Sequence, residues 1–314
     1  MYEMPSAPLD IKSKSITGPR VAVLMTTYNA AQWLPEQLAT ILAQEDIAIR
    51  LIVSDDQSTD GSLQRLEDRA RKSELTLLET QKIRFGNANR NFLRLVLDAQ
   101  VGDAEYVALA DHDDVWMPRK LINAVLSIQT YSLDACSSNV IAFWEDGREK
   151  ILDKAKPQRA HDHLFESAGP GCTFVMTRAS FDLLRHFVVK RFCEIEKVKV
   201  HDWLIYAFAR HSGWKWLIQL QPSMYYRQHI ANEIGAHVGW KAIKLRWRSM
   251  RSGEYRSQVL QISNIIGDRS EVTRRLHRLN LLDRIMLALL ARQCRRDATE
   301  ALALAVGFLL MKRL

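Results

Sequence analysis

No run of about 20 consecutive apolar residues, the length a membrane-spanning helix requires, occurs in the 314-residue sequence. The longest apolar candidate, Ala301 to Met311, is too short. Met1 to Arg20 mixes acidic, basic and proline residues without an apolar core. It therefore reads as a disordered leader rather than a signal peptide or anchor, and the expected location is cytoplasmic. Cysteine is scarce: Cys136, Cys172, Cys193 and Cys294 form no CxxC pair and no metal-type spacing, a pattern suited to a reducing compartment. Also missing are the GxGxxG fingerprint, the P-loop, the GxSxG elbow and the HExxH zinc motif. Gly169 to Thr173 resembles a glycine loop but lacks the third glycine of a dinucleotide site. No internal repeat or low-complexity segment is present.

What remains is an ordinary globular composition, 47% hydrophobic and 25% charged, long enough for one large core or two small ones. The formal charge of +8 is unevenly spread. From Trp240 onward there are 16 Lys and Arg against 6 Asp and Glu, whereas the preceding 239 residues carry 28 against 30. The basicity belongs to the tail and points to an anionic partner there.

Apolar periodicity predicts strands at Val21–Thr27, Ile49–Ser54, Leu75–Leu78 and Tyr106–Ala110. Helices are predicted over about 31–43, from Ser58 to Arg71, over Asn87–Ala99 and over Met117–Thr130. Trp216–Tyr226 reads as one further strand. This alternation argues for an α/β fold with a mostly parallel sheet, which gathers ligands outside the carboxyl ends of its strands. Three polar clusters sit at those ends: Thr26 to Asn29, Ser54 to Asp56, and Asp111 to Asp114.

The last cluster carries the most chemistry. Three carboxylates within four residues repel one another unless a cation lies among them. In an extended segment Asp111 and Asp113 would point the same way, as hard oxygen ligands suited to Mg²⁺ or Mn²⁺. The alternative is a solvated turn before a helix. Asp56, Ser58, Asp60, Gly61 and Glu67 match calcium-loop positions of an EF-hand, but that motif needs a preceding helix and Leu51–Ser54 is strand-like. As a strand-to-helix turn, Ser58 or Asp60 would cap the helix, and Asp55 and Asp56 would project over the sheet edge. There a carboxylate can accept the imide N–H of a pyrimidine base. Asp202, in the first turn of a predicted buried helix, is favoured by the helix dipole and suits a general base. Equally, it suits an ordinary helix-start carboxylate. Arg227 and His229 could meet a leaving diphosphate or lie on the surface.

Together these segments resemble family-2 glycosyltransferases, most closely the bacterial rhamnosyltransferase-type branch, over about 20–239. The carriers are Val23–Asn29, Val53–Gly61, Phe85–Phe92, Ala110–Pro118, Gly171–Thr173, His201–Trp203 and Tyr226–His229. The resemblance implies a GT-A fold over 21–239, with 240–314 as a basic amphipathic helical tail, and an inverting reaction on a nucleotide-diphosphate sugar. It implies that Thr26 and Tyr28 line the base pocket and that Asp55 or Asp56 bonds the base. Arg90 and Asn91 would lie near the donor and Asp111 near the ribose. Asp113, with Asp111 and His229, would hold a divalent cation, Mg²⁺ or Mn²⁺, and Asp202 would be the base. His112 stands where a small residue or Gln is expected, so its role is open. An unperturbed aspartate, with pKa about 3.9, would be ionised at neutral pH without tuning.

The implied donor is dTDP-L-rhamnose, with UDP-hexoses next. The implied acceptor is a saccharide or lipid-linked saccharide of bacterial surface polysaccharide. The rival class is a non-catalytic nucleotide-sugar-binding module. A nucleic-acid partner is not expected, because the clustered arginines sit on no recognised module. Lys241, Lys244, Arg246, Arg248 and Arg251, interleaved with Ile243, Leu245 and Trp247, suit docking on an anionic membrane surface or a solvated helical cap.

Overall fold

The structure, a computed structural model, describes residues 18–81, 84–229 and 252–311. Residues 1–17 of the expected leader and the basic segment Lys241 to Arg251 lie outside the described residues.

The first strand, β1 (Arg20–Thr27), is buried from Val21 to Thr27, as a strand covered on both faces must be. It pairs in parallel with β2 (Ala48–Asp55) and with β4 (Tyr106–Ala110). The short β3 (Thr76–Leu77) extends the sheet beyond β2. On the other side β9 (Val175–Thr177) runs antiparallel between β4 and β6 (Ala135–Ser138), and β10 (Trp216–Gln219) closes the edge. The order is β10-β6-β9-β4-β1-β2-β3, so the sheet is mixed, with β9 its antiparallel member. Apolar clusters cover both faces. One contains Val21, Val23 and Met25, and the other Ala22 and Leu24.

Helices α1 (Leu34–Leu42), α2 (Ser62–Arg71), α3 (Ala88–Asp98) and α4 (Lys120–Tyr131) make the crossovers. Pro35 opens α1 at a position whose amide has no helical partner. The cap of α2 falls on Gly61, left-handed at φ 92°, rather than on Ser58 or Asp60. Asp60 instead accepts from the Ser62 and Ala31 amides. A strand, β2, precedes this loop, as the rejection of a calcium loop required.

The predicted strand over 216–226 is two strands, because Pro222 interrupts it. After β10 the chain turns and enters β11 (Met224–Gln228) in a second sheet. That sheet has the order β5-β11-β7-β8, built with β5 (Val115–Trp116), β7 (Val140–Trp144) and β8 (Glu149–Leu152). Helices α5 (Arg178–Ile195) and α6 (His201–His211) lead into the last part of the chain. There α7 (Glu254–Ile266), α8 (Glu271–Arg278), α9 (Leu281–Cys294) and α10 (Ala298–Leu310) share one apolar cluster with the sheet. Val259, Ile262, Leu287 and Phe308 belong to the same cluster as Leu24 and Leu109.

Buried charge fixes this junction. Arg296, 3% exposed, donates to Asp162 at 3.0 Å and to Glu166 at 3.0 Å, and Arg210 from α6 reaches Asp162 at 3.2 Å. No described helix is long and apolar enough to cross a membrane.

Candidate functional site

Parallel register brings Thr27 beside Asp55 and Met25 beside Ala110, so the polar clusters after β1, β2 and β4 share one sheet edge. Thr26 is buried on β1 and pairs across to Ser54. Asp55 braces the edge: it accepts from Thr27 Oγ1 at 2.8 Å, Ser58 N at 2.8 Å and Ser58 Oγ at 2.6 Å. Asp56 accepts the amides of Phe85 (2.5 Å) and Gly86 (2.9 Å), which ties the 84–86 segment over the edge. From that segment the Arg84 guanidinium lies 3.7 Å from the Tyr28 ring centroid and 3.6 Å from Asp56.

Asn91 is 2% exposed and turned into the sheet. Its amide donates to the Ser54 carbonyl at 3.0 Å and accepts from Ser54 Oγ at 2.5 Å. With a further bond to the Thr27 carbonyl at 3.4 Å, its contacts are with the ends of β1 and β2, where it holds α3 against the sheet. Arg90, on the first turn of α3, lies at the surface 3.9 Å from Glu196.

The 111–114 segment is a turn rather than extended backbone, so simple alternation does not apply. One carboxylate oxygen of Asp111, one of Asp114 and Cys172 Sγ lie within 4.8 Å of one another. Asp113 turns instead to His229, 2.8 Å from Nε2, and His229 is stacked on Trp33 with centroids 4.0 Å apart. His112, whose role the sequence left open, lies 6.4 Å from Trp33. Strand β11 clamps the turn: the Arg227 amide donates to Asp114, its Nε to the Asp113 carbonyl at 2.8 Å, and its terminal nitrogen to Glu36 at 2.6 Å.

Burial pushes the Asp113 carboxyl up, but the His229 hydrogen bond and the His112 and His229 imidazoles outweigh it and leave the group low. Asp114 goes the other way. Burial, then the charges of Asp113 and Asp111, hold it well above the usual range. Apart from the Cys172 thiol beside it, Asp114 Oδ2 has no hydrogen-bond partner among the described residues. Two crowded carboxylates, one with an unsatisfied oxygen, fit a hard divalent cation that relieves their repulsion, with the Cys172 sulfur as the one soft donor in the group.

Sequence reasoning missed Lys120. It is 3% exposed, donates to the Cys172 carbonyl at 2.6 Å and lies 4.0 Å from the Trp116 ring centroid. Burial lowers its pKa to about 8, against the pull of the Cys172 and Asp114 side chains. The available signal was helical spacing: Lys120 shares a face with Ala124 and Ile128, both buried.

Asp202 stands in the first turn of α6, its Oδ1 accepting the Trp203 amide at 2.6 Å. A Cβ placed on Gly171 would lie 3.3 Å from Asp202 Cβ and 2.6 Å from His201 Nε2. Asp202 thus packs against the loop whose next residue, Cys172, adjoins Asp111 and Asp114. Burial raises its pKa to about 6, although the Trp203 amide and the Lys154 ammonium pull it down. The unperturbed value anticipated from sequence is therefore corrected, because the side chain loses solvent. Its neighbour His201, stacked on Phe92 at 4.2 Å, is pushed by burial to about 4 and is neutral.

The pattern of glycosyl transferase family 2 matches residues 22–187. Among curated proteins, a dTDP-rhamnosyl transferase, RfbG of Shigella flexneri, is 34% identical over 288 residues, 91% of this chain and 99% of the relative. An uncharacterized glycosyltransferase, alr2836 of Nostoc, is 27% identical, covering 68% of this chain and 66% of its own. Among solved structures, S. aureus TarS 1–349 in complex with UDP superposes with a TM-score of 0.52 at 15% identity, covering 93% of this chain and 88% of that one. At that identity the likeness concerns the fold, a GT-A fold, alone. From the family match and the near full-length relative, the chain belongs to glycosyl transferase family 2 and is a glycosyltransferase.

Proposed function

We propose that the chain is an inverting, metal-dependent transferase moving L-rhamnose from dTDP-L-rhamnose to a saccharide or lipid-linked saccharide of bacterial surface polysaccharide. The observation that carries this reading is the contact of Asp202 with Gly171, next to Cys172, whose sulfur adjoins the Asp111 and Asp114 carboxylates. Likeness to the S. flexneri relative supports the choice of donor.

In this reading Tyr28, Thr26 and Asp56 form the base pocket, with Arg84 as its cover. Asp55 and Asn91 hold the strand ends in place, Asp111 lies towards the ribose, and Arg90 flanks the donor from α3. Asp111 and Asp114, whose carboxylates meet beside Cys172, would hold the divalent cation, with Asp113 and its partner His229 adjoining; the cation would supply positive charge to the leaving diphosphate. Asp202 accepts the proton of the acceptor hydroxyl as that oxygen attacks the sugar carbon from the face opposite the leaving group. Its partly buried setting makes it a stronger base than an exposed carboxylate while leaving it mostly ionised at neutral pH.

Release of dTDP from dTDP-L-rhamnose with Mn²⁺, suppressed by EDTA and restored by added metal, is the expected result. Release from UDP-hexoses instead would move the assignment to a UDP-hexose transferase. No nucleotide release from any donor with metal present would leave only a binding module.

The same reading puts the enzyme peripherally on the inner membrane face. Its support is the apolar exposure of α9 and α10, where Leu281 (71%), Leu282 (72%), Leu289 (72%) and Leu302 (69%) are exposed, within a C-terminal quarter that carries 16 Lys and Arg against 6 Asp and Glu from Trp240 on.

A further inference from the structure

A cavity of about 220 Å³ opens between the segment following β8 and the start of α10. Its lining is almost wholly polar: three cationic side chains, Lys154, Lys156 and Arg296, face four carboxylates and the Thr299 hydroxyl. Two of the cations are already committed. Arg296 is bonded to Asp162 and Glu166, and Lys156 to Asp297. The Lys154 ammonium feels the charges of Glu166 and Glu300, and the buried Arg296 Nε has no hydrogen-bond partner among the described residues.

One lining residue, Lys154, is close enough to Asp202 for its charge to act on that carboxyl. Lys154 Cγ is 3.9 Å from where a Gly169 Cβ would stand, and Gly171, two residues on, abuts Asp202. The 169–171 loop thus runs beside both Lys154 and Asp202.

We propose that this cavity is a saccharide subsite on the acceptor side, taking one neutral sugar ring next to the unit whose hydroxyl meets Asp202. This rests on the transferase reading above. The chemistry selects the ligand. Sugar hydroxyls both donate and accept, so they satisfy carboxylates and cations together. A lining with one more carboxylate than cations disfavours phosphates and uronates, and the shortage of apolar surface disfavours a lipid chain.

Saturation-transfer NMR with methyl α-L-rhamnopyranoside and methyl α-D-glucopyranoside tests the assignment. The wild type is expected to bind at least one of them at millimolar concentration. Thr299→Trp, which blocks the exposed mouth, and Lys154→Met should each weaken binding by at least about tenfold, while Thr299→Ser retains it. Thermal unfolding of each variant separates loss of binding from loss of fold. The proposal is overturned if the wild type binds neither glycoside, if both blocking variants bind as it does, or if inorganic phosphate or a methyl glucuronide is preferred. Donor hydrolysis by the wild type is read separately: its absence would remove the transferase reading, while the glycoside data still judge the cavity.

Discussion

At the scale of single residues, Asp202 and Gly171 carry the sharpest consequences. Asp202→Asn keeps the shape and removes the proposed base, so turnover should fall on the order of 100-fold or more with little change in donor KM. With a pKa raised to about 6, the Asp202 carboxyl is progressively protonated as pH drops through 6. Turnover of the wild type should therefore decline below pH 6 and level off above it, and this acid limb should vanish in Asp202→Asn. A pH profile of kcat for both proteins checks this. Gly171→Ala inserts a methyl 2.6 Å from His201 Nε2, closer than real contacts allow, so the start of α6 must move. Because Asp202 moves with it, kcat should drop by roughly 10- to 100-fold, while overpacking of about 1–3 kcal/mol lowers the melting temperature without unfolding the protein. An unchanged kcat would mean that Asp202 is not positioned by this loop.

At the scale of elements, the difference between legible and illegible features follows from what each one buries. Strands β1, β2 and β4 and their crossover helices stood out because each apolar run is long and ends abruptly in Thr, Asn or Asp. The acidic groups at 55–56 and 111–114 were legible for the same reason. The second sheet was not, since β5 has two residues and pairs with β11 more than a hundred positions away. Nor were the buried charges. Lys120 is satisfied by a carbonyl 52 positions on, and Arg296 by acids about 130 positions back, separations that no local pattern encodes. Asn91 was legible as an important residue but not as one turned into the sheet, because only the closure of α3 on β2 decides which way it points.

The Arg296 junction also supports a stability prediction. Removing the guanidinium leaves Asp162, wholly buried, and Glu166 without their main partner. Arg296→Met should cost about 3–5 kcal/mol in urea unfolding, and a loss below about 1 kcal/mol would show that water or Arg210 compensates.

At the scale of the whole molecule, the excess of basic residues and the exposed leucines of α9 and α10 fall in the same C-terminal quarter, apart from the candidate site at the sheet edge. Docking through α9 and α10 predicts co-sedimentation with anionic vesicles that weakens with salt. Leu282→Ser combined with Leu289→Ser should reduce binding by about tenfold or more without altering donor hydrolysis, since both side chains face outward. Equal binding to neutral vesicles would remove the electrostatic part of the idea. An unchanged affinity in the double variant would remove the apolar part and point to association between copies of the chain.

The guanidinium at 296 has a further implication for biogenesis. Its partner Asp162 is synthesised 134 residues earlier, a wait of about 7–27 s at ribosomal speeds. During that interval the corner around 162–166 must stay hydrated or be shielded by a chaperone. A fragment halted at residue 239 would remain in that condition indefinitely, and limited proteolysis should nick it there while sparing the finished protein.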